Sequence, residues 1–201
     1  MATVERVKCW TPPFRVSFPS VFEASSFEGS KPKYSVVGLW YPKKFDDKQK
    51  ALWRAIHVEL DKATKEKFKK AYKDLPPNFK KAIRDGEEKS HLEGYGAGCM
   101  FGTMSSLQRP GVIDRNKDII TDSSVLYPGC WARATVTVYA YDNKGKGVAL
   151  GLHNIQKLGE GENFSGRAAA DEDFGDDASE VWDDPEAGGD ADEDFKDDPL
   201  G

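Results

Sequence analysis

Alternation of apolar and polar residues indicates that residues 131–141 form the clearest β-strand in the chain. The even positions of this run are Ala or Val, whereas the odd positions are aromatic, hydroxylic or basic. This pattern predicts a strand with one face in the core and the other face outside it. The polar, glycine-containing run 142–147 predicts a hairpin loop. A last strand should follow, with Val148, Leu150 and Leu152 on the core face.

Three earlier segments also predict β-strands. Alternation over residues 14–18 predicts a short, half-buried strand that ends at Pro19. The β-branched and aromatic run 33–41 predicts a second strand, which ends at Pro42. Residues 94–106 contain glycine at alternate positions, so they predict a strand that bends sharply or approaches another backbone closely.

A single amphipathic helix is predicted between these strands. Over residues 46–73 the apolar positions recur every three or four residues, as at Leu52, Ile56 and Leu60. The pair of prolines that begins at Pro76 ends this pattern. Antiparallel strands with one interposed helix favour a small β-barrel or an α+β fold, and the expected fold class is therefore mainly β.

Charge is distributed unevenly along the chain. There are 29 Lys and Arg residues and 34 Asp and Glu residues, for a net charge of −5. Residues 171–201 hold 15 of the acidic residues and one basic residue, so this segment carries −14. Residues 1–170 thus have 28 basic and 19 acidic residues and a net charge of +9. A basic body predicts a polyanionic partner, and the acidic segment is expected to compete for the same surface.

The acidic segment is not expected to fold. From Ala168 onward Asp, Glu, Gly and Ala dominate without periodicity, and the like charges repel one another. We therefore predict one folded domain over residues 1–168 and a disordered acidic C-terminal tail over residues 169–201.

No pattern in the sequence indicates catalysis. The chain lacks the spacing of a phosphate-binding loop or of a nucleophile turn, and its histidines are not in metal-ligand spacing. Its three cysteines are expected to be reduced thiols in or near the core. We expect a protein that is not an enzyme and that needs no metal or cofactor. No apolar run approaches the roughly 20 residues of a membrane span.

Aromatic side chains and cations recur together in two parts of the body. Single strands are bound by bases that stack on aromatic side chains and by Lys or Arg along the phosphates. One group lies on the odd face of 131–141 and in the next loop, and the other surrounds 33–41. For each aromatic residue, packing in the core is the alternative. The predicted DNA-binding residues are Lys31, Lys33, Tyr34, Trp40, Tyr41, Lys43, Lys44, Arg109, Arg115, Trp131, Arg133, Tyr139, Tyr141, Lys144 and Lys146.

The order of several short motifs resembles a phage-encoded single-stranded DNA-binding family, formerly a domain of unknown function. The resemblance covers nearly the whole body and implies that residues 1–168 form an OB-fold, a small β-barrel. It also implies single-strand binding in phage DNA replication or recombination. The matching motifs are Phe18-Pro19, Phe22-Glu23, Lys33-Tyr34-Ser35, residues 83–87, residues 109–114, residues 127–130, residues 139–143 and residues 151–157.

The tail is similar to those of phage and bacterial single-stranded DNA-binding proteins that recruit replication enzymes. This resemblance implies a polymerase, helicase or primase as partner, with Phe174, Trp182 and Phe195 as the contact residues. Those tails end on an aromatic residue, whereas this chain ends at Gly201. The terminal carboxylate therefore lacks the aromatic neighbour found in the tails it resembles.

Two functions of different classes stay open at this point. The first is sequence-nonspecific single-stranded DNA binding in the cytoplasm of an infected bacterial host, by a monomer or a homodimer and without a membrane. The second is a protein-interaction or structural module, such as an acidic DNA mimic or a virion component. A mimic would spread negative charge over its folded surface, whereas the body of this chain is positive. A gel shift on poly-dT with a duplex competitor discriminates between them.

Overall fold

The computed structural model describes residues 7–26, 31–143 and 145–164. Within these residues lie eight β-strands and one α-helix, α1, which spans Asp47–Phe68. The predicted domain boundary at residue 168 and the predicted disorder of the tail lie outside the described residues and stay predictions. The strands are β1 (Lys8–Trp10), β2 (Phe14–Ser25), β3 (Lys33–Trp40), β4 (Arg84–Asp85), β5 (Met100–Ser106), β6 (Gly111–Ile113), β7 (Trp131–Asp142) and β8 (Lys146–Gly159).

Five of the strands close into a barrel in the order β2-β3-β5-β8-β7. β7 pairs with β2 as well as with β8, and this double pairing closes the ring. Only the β5–β8 contact within the ring is parallel, since a crossover connects these two strands. β1 adds to β7, β6 adds to β8, and β4 adds to β5. A closed five-stranded barrel of this kind confirms the predicted OB-fold.

The interior of the barrel is filled by the apolar face of each strand. In β7 every even position from Ala132 to Val138 is buried, as the alternation predicts. Val148, Leu150 and Leu152 of β8 are buried against them, which confirms the last predicted strand. The three cysteines are also buried and unbonded to one another, so burial in or near the core is confirmed for all of them.

Helix α1 is shorter than the predicted 46–73 but lies where the periodicity places it. Asp46 and Gln49 form a capping box at its start, in which the Gln49 amide donates to the Asp46 carboxylate at 2.8 Å. Ile56 and Leu60 are completely buried. The helix ends because Lys69 takes a left-handed conformation with φ of 58°.

The first predicted strand does not end at Pro19. β2 continues to Ser25, because a bulge between Ser17 and Ser20 accommodates a proline that donates no hydrogen bond. The bulge places Phe18 at φ 43° and turns its side chain outward, where 56% of it is exposed. Alternation puts Phe18 on the same face as Phe14 and Val16 and so predicts its burial, and this prediction is wrong.

The glycine-rich strand predicted over 94–106 is only half correct. β5 begins at Met100, and the residues before it form turns. Gly94, Gly96 and Gly98 have φ values of 80°, 126° and 79°, which a strand does not contain. Alternating glycines here serve left-handed turns rather than a bent strand.

Candidate nucleic-acid interface

Two tyrosines lie side by side on the outer face of the barrel. Tyr139 is paired with Ala149 and Tyr141 with Gly147 across the β7–β8 ladder. Their ring centroids are 6.4 Å apart at an interplanar angle of 51°. Because the cross-strand partners are an alanine and a glycine, the rings have little side-chain cover from β8.

A groove of about 860 Å³ adjoins Tyr141. Residues 77–85 form one of its walls and lie in a gap of the barrel between β5 and β8. Two backbone hydrogen bonds fix this wall to β8: Lys80 N donates to Lys146 O at 3.0 Å, and Val148 N donates to Lys80 O at 2.9 Å. The wall is therefore joined to the barrel through backbone hydrogen bonds to β8.

Cations predominate along this wall. Lys80, Lys81 and Arg84 line the groove together with the carboxylates of Asp85 and Glu88. Arg84 Nη1 lies 3.3 Å from Glu88 Oε2, and each of the two side chains is a little under half exposed. An exposed pair of this kind contributes at most about 1 kcal/mol, so Arg84 can exchange Glu88 for another anion at low cost.

A smaller depression of about 240 Å³ continues the groove along the same face. Ser105 lines both depressions, and Tyr139, Thr137 and Arg109 line the second one. His153 reaches it from a bulge in β8 and is within 3.3 Å of the Thr137 hydroxyl. We call the two adjoining depressions the tyrosine groove.

Two rings of the tyrosine groove, Tyr141 and His153, have shifted pKa values that keep them uncharged near neutral pH. Burial raises the pKa of Tyr141, so its hydroxyl stays protonated and adds no negative charge. Burial, assisted by the nearby Lys8 ammonium, lowers the pKa of His153. The positive charge in the groove is therefore provided by its Lys and Arg side chains.

The structure brings several predicted residues together at this groove. Tyr139, Tyr141 and Arg109 line it directly. Tyr34 pairs with Ser106, which lines the smaller depression, so the start of β3 lies close to its rim. The other predicted cations Lys31, Lys33, Lys43, Arg115 and Lys146 are exposed but do not line the groove.

A second predicted group lies at the opposite end of β7. Trp131 shares a depression of about 170 Å³ with Tyr41 and Lys44. The Lys44 ammonium is 5.5 Å from the Tyr41 ring centroid, and the Arg15 guanidinium is 5.4 Å from that of Trp131. Trp131 and Tyr139 are thus not adjacent, although they share the odd face of β7. A DNA contact at this second group stays a prediction.

Trp40 is a core residue, so its prediction as a DNA-binding residue is wrong. It has no exposed surface, and its indole N–H donates to Pro12 O at 3.3 Å. Its ring packs edge-on against Phe14 and at a tilt against Trp53. The inward face of β3 leaves no room for a base at this side chain.

Four of the predicted contact residues lie outside the described residues. Sequence reasoning also missed the basic wall, because the mainly polar run 78–91 predicts only a connector between the helix and the next strand. The Lys-Lys pair followed three residues later by Arg84 was the available signal. The four residues outside the described part are Lys144, Phe174, Trp182 and Phe195.

Comparison with known proteins identifies the family of this chain. The family model described as Enterobacter phage Enc34, ssDNA-binding protein, matches residues 7–185. The chain belongs to the Enc34 ssDNA-binding protein family. A second relative in sequence is "Putative protein p50" of Acyrthosiphon pisum secondary endosymbiont phage 1. It is 33% identical over 168 residues, which cover 82% of this chain and 90% of the relative.

Solved structures confirm the fold of this Enc34-family chain. It is similar to the single-stranded DNA-binding protein from bacteriophage Enc34 in complex with ssDNA, with a TM-score of 0.66 and 22% identity. That match covers 79% of this chain and 89% of the phage Enc34 chain. It is also similar to gp2.5, a single-stranded DNA binding protein encoded by bacteriophage T7. The TM-score there is 0.53 at 14% identity, over 89% of this chain and 96% of gp2.5.

Family membership confirms the resemblance seen in the motifs. Enc34-family proteins are named for binding rather than catalysis, which agrees with the expectation that this chain is not an enzyme. Across the described ranges of this family member, no helix is long and apolar enough to cross a membrane. The same ranges contain no group of three or more His, Cys, Asp or Glu residues placed to hold a metal ion.

Proposed function

We propose that this chain binds single-stranded DNA in the tyrosine groove without sequence preference. The observation that supports this most directly is the pair of adjacent rings, Tyr139 and Tyr141, between the basic wall and Arg109. Membership in the Enc34 family supports the same function.

Two kinds of contact are proposed within the groove, stacking on bases and charge contacts with phosphates. The rings of Tyr139 and Tyr141 offer faces to bases, and each stacked base contributes about 1–3 kcal/mol. Lys80, Lys81 and Arg109 lie where the phosphates of a strand through the groove would pass. Neither type of contact reads the edge of a base, so all sequences should bind.

The groove favours single strands over duplex for a physical reason. In a duplex the faces of the bases are stacked on one another, and only their edges reach the grooves. Stacking on Tyr139 or Tyr141 therefore requires an unpaired base or the unstacking of a pair, which costs a few kcal/mol.

The acidic tail is proposed to compete with DNA and to recruit replication enzymes. Its charge of −14 opposes the +9 of residues 1–170. The chain that leads toward it is held on the barrel: Arg15 Nη2 donates to Glu162 O at 2.7 Å, and Phe164 N donates to Pro128 O at 3.0 Å. A flexible chain of about 30 residues reaches about 30 Å, which is enough to cross a small domain.

The biological setting that fits these properties is phage DNA replication or recombination in the cytoplasm of the infected bacterial host. Single strands are intermediates of both processes, and a protein without sequence preference covers them wherever they arise. A polymerase, helicase or primase is the class of partner proposed for Phe174, Trp182 and Phe195. A homodimer is compatible with this role and is tested by light scattering with and without DNA.

The experiment that tests the proposed function changes one ring of the groove. Tyr139→Ala should weaken the binding of a fluorescent dT oligonucleotide by about 1–3 kcal/mol, because one stacking surface is lost. Tyr139→Phe keeps the ring and should bind as the unchanged protein does. Anisotropy titrations measure both affinities, and circular dichroism confirms that the variants fold.

An equal loss in both Tyr139 variants would assign the effect to the hydroxyl rather than to stacking. Unchanged affinity in the folded Tyr139→Ala protein would place the DNA away from the tyrosine groove.

A further inference from the structure

We propose a second nucleobase-stacking site at Trp10 on β1, reached by a strand that continues beyond the tyrosine groove. This inference rests on the proposed single-strand binding and extends the path of the DNA. The ligand class is an unpaired nucleobase together with the phosphates on either side of it.

Trp10 lies on the same outer face as the tyrosines. β1 pairs with β7 in a register that sets Trp10 opposite Thr135 and Lys8 opposite Thr137. Directly paired residues in an antiparallel ladder point to the same side, and Tyr139 shares this side of β7. Cys9, between Lys8 and Trp10, is buried, whereas Trp10 is 49% exposed.

An arginine held by hydrogen bonds lies over the Trp10 ring. The guanidinium carbon of Arg133 is 4.5 Å from the ring centroid. Arg133 Nε donates to Gln156 Oε1 at 2.8 Å, and Gln156 Nε2 donates to Asp114 O at 2.9 Å. This chain of bonds fixes the arginine in place, so the indole is supported before any ligand arrives. A supported, half-exposed ring beside a cation combines the two elements that bind single strands.

The path between the tyrosines and Trp10 is short and basic. Thr135, the partner of Trp10, is four residues from Tyr139, which is about 13 Å at the rise of a β-strand. That distance corresponds to about four stacked nucleotides at 3.4 Å each, and to fewer in an extended strand. Lys8 is exposed and lies between the two positions, next to Thr137 and His153. Phosphates that cross this interval therefore meet a cation.

An interface with a second copy of the chain is the other use of an exposed tryptophan on an edge strand. β1 has only three residues, so edge-to-edge pairing would form few hydrogen bonds. Lys8 and Arg133 flank the ring and favour a polyanion over an equally basic second copy. The nucleobase is therefore the occupant for which we argue.

The test compares two lengths of oligonucleotide on the full chain. Trp10→Ala should weaken the binding of dT15 about 5- to 150-fold, as for one lost stacked base, and leave the binding of dT4 unchanged. Trp10→Leu keeps apolar contact with β7 and should show the same loss on dT15. Trp10→Phe should retain most of the affinity, and Val7→Ala, which truncates an exposed neighbour, should retain all of it.

Several results would overturn the proposal. If a folded Trp10→Leu protein binds dT15 as tightly as the unchanged protein, Trp10 is not a stacking site. If dT4 and dT15 lose affinity equally, Trp10 does not form a separate site. If light scattering shows that Trp10→Ala changes only the mass of the particle, the residue belongs to an interface between copies. Tyr139→Ala distinguishes failure of the Trp10 site from failure of the proposed function. If the tyrosine groove does not bind DNA, this change leaves the affinities for both dT4 and dT15 unaffected.

Discussion

Small residues on β8 keep the tyrosine groove open to a ligand. A Cβ atom added to Gly147 would lie 2.6 Å from the Tyr141 hydroxyl, and one added to Gly151 would lie 2.9 Å from the Thr137 hydroxyl. Larger side chains at these positions would push into the groove. The absence of a side chain at Gly147 on β8 therefore leaves room for the Tyr141 ring on β7.

His57 is a buried histidine that should make the fold sensitive to acid. It packs between Trp53 and Tyr72, with ring centroids 5.0 and 6.1 Å away. Its Nε2 is buried and has no hydrogen-bond partner among the described residues. Burial lowers the pKa of His57, although the Asp61 carboxylate opposes this shift.

The direction of the pH effect follows from this lowered pKa. As pH falls below about 6.5, the unfolded chain takes up a proton at this histidine before the folded chain does. Stability is therefore fully present above about pH 6.5 and decreases as the pH falls toward the lower folded pKa. Urea unfolding at pH 7.5 and pH 5 should show a smaller pH difference in His57→Phe than in the unchanged protein. An identical difference in both proteins would show that His57 is not responsible.

At the residue scale, alternation predicted which side of β7 faces the core but not which outward residues meet. Tyr139 and Tyr141 lie on the outward face, as period 2 predicts, while their contact with DNA stays a prediction. Trp131 was grouped with them although about eight residues of strand, roughly 26 Å, separate it from Tyr139. Trp40 was misassigned because an aromatic strand residue has the same local pattern whether it is buried or exposed.

Helix α1 is stabilised at its first turn by the Asp46 capping box. Asp46→Ala removes the acceptor for the Gln49 amide and should cost about 0.5–2 kcal/mol of unfolding free energy. Affinity for single-stranded DNA per folded molecule should not change, since α1 does not line the tyrosine groove. Denaturant unfolding measures the first quantity and anisotropy the second. Asp47→Ala, which alters an exposed residue in the same turn, is the control.

At the element scale, periodicity predicted the elements better than it predicted their ends. The bulge at Phe18 and the left-handed turn at Lys69 depend on tertiary packing and on backbone conformations that no local pattern specifies. The wall formed by residues 77–85 was missed for a related reason. It fills a gap between two strands that are distant in sequence, so only the closed barrel shows its position.

The whole chain combines a basic barrel with an acidic tail, and this combination predicts self-competition. Removal of residues 171–201 should raise the affinity for single strands and weaken the preference for them over duplex. The effect should be largest at low salt, because the Debye length falls from about 30 Å at 0.01 M to about 8 Å at 0.15 M. A full-length variant with the 15 acidic residues of the tail changed to Asn or Gln separates charge from length. Equal affinities of all three proteins at every salt concentration would rule out self-competition.

At the scale of the molecule, the motif order was enough to predict the family and its barrel, and the charge asymmetry predicted a polyanionic partner. Four of the motifs that suggested the family also supply groove residues, namely Arg84 with Asp85, Arg109, Tyr139 with Tyr141, and Gly151 with His153. The arrangement of these residues into one continuous groove could not be predicted, because it depends on the parallel β5–β8 contact within the closed barrel.

The salt dependence of single-strand binding, measured with a duplex competitor present, tests the central claim most directly. Within the described part of the chain, four cations line the tyrosine groove: Lys80, Lys81, Arg84 and Arg109. If each contacts one phosphate, the logarithm of the affinity for a dT oligonucleotide should fall with the logarithm of the salt concentration by a slope of about −3. Excess duplex should leave the oligonucleotide bound to the full-length protein. A slope near zero, or displacement by duplex as effective as by unlabelled dT, would contradict single-strand binding in this groove.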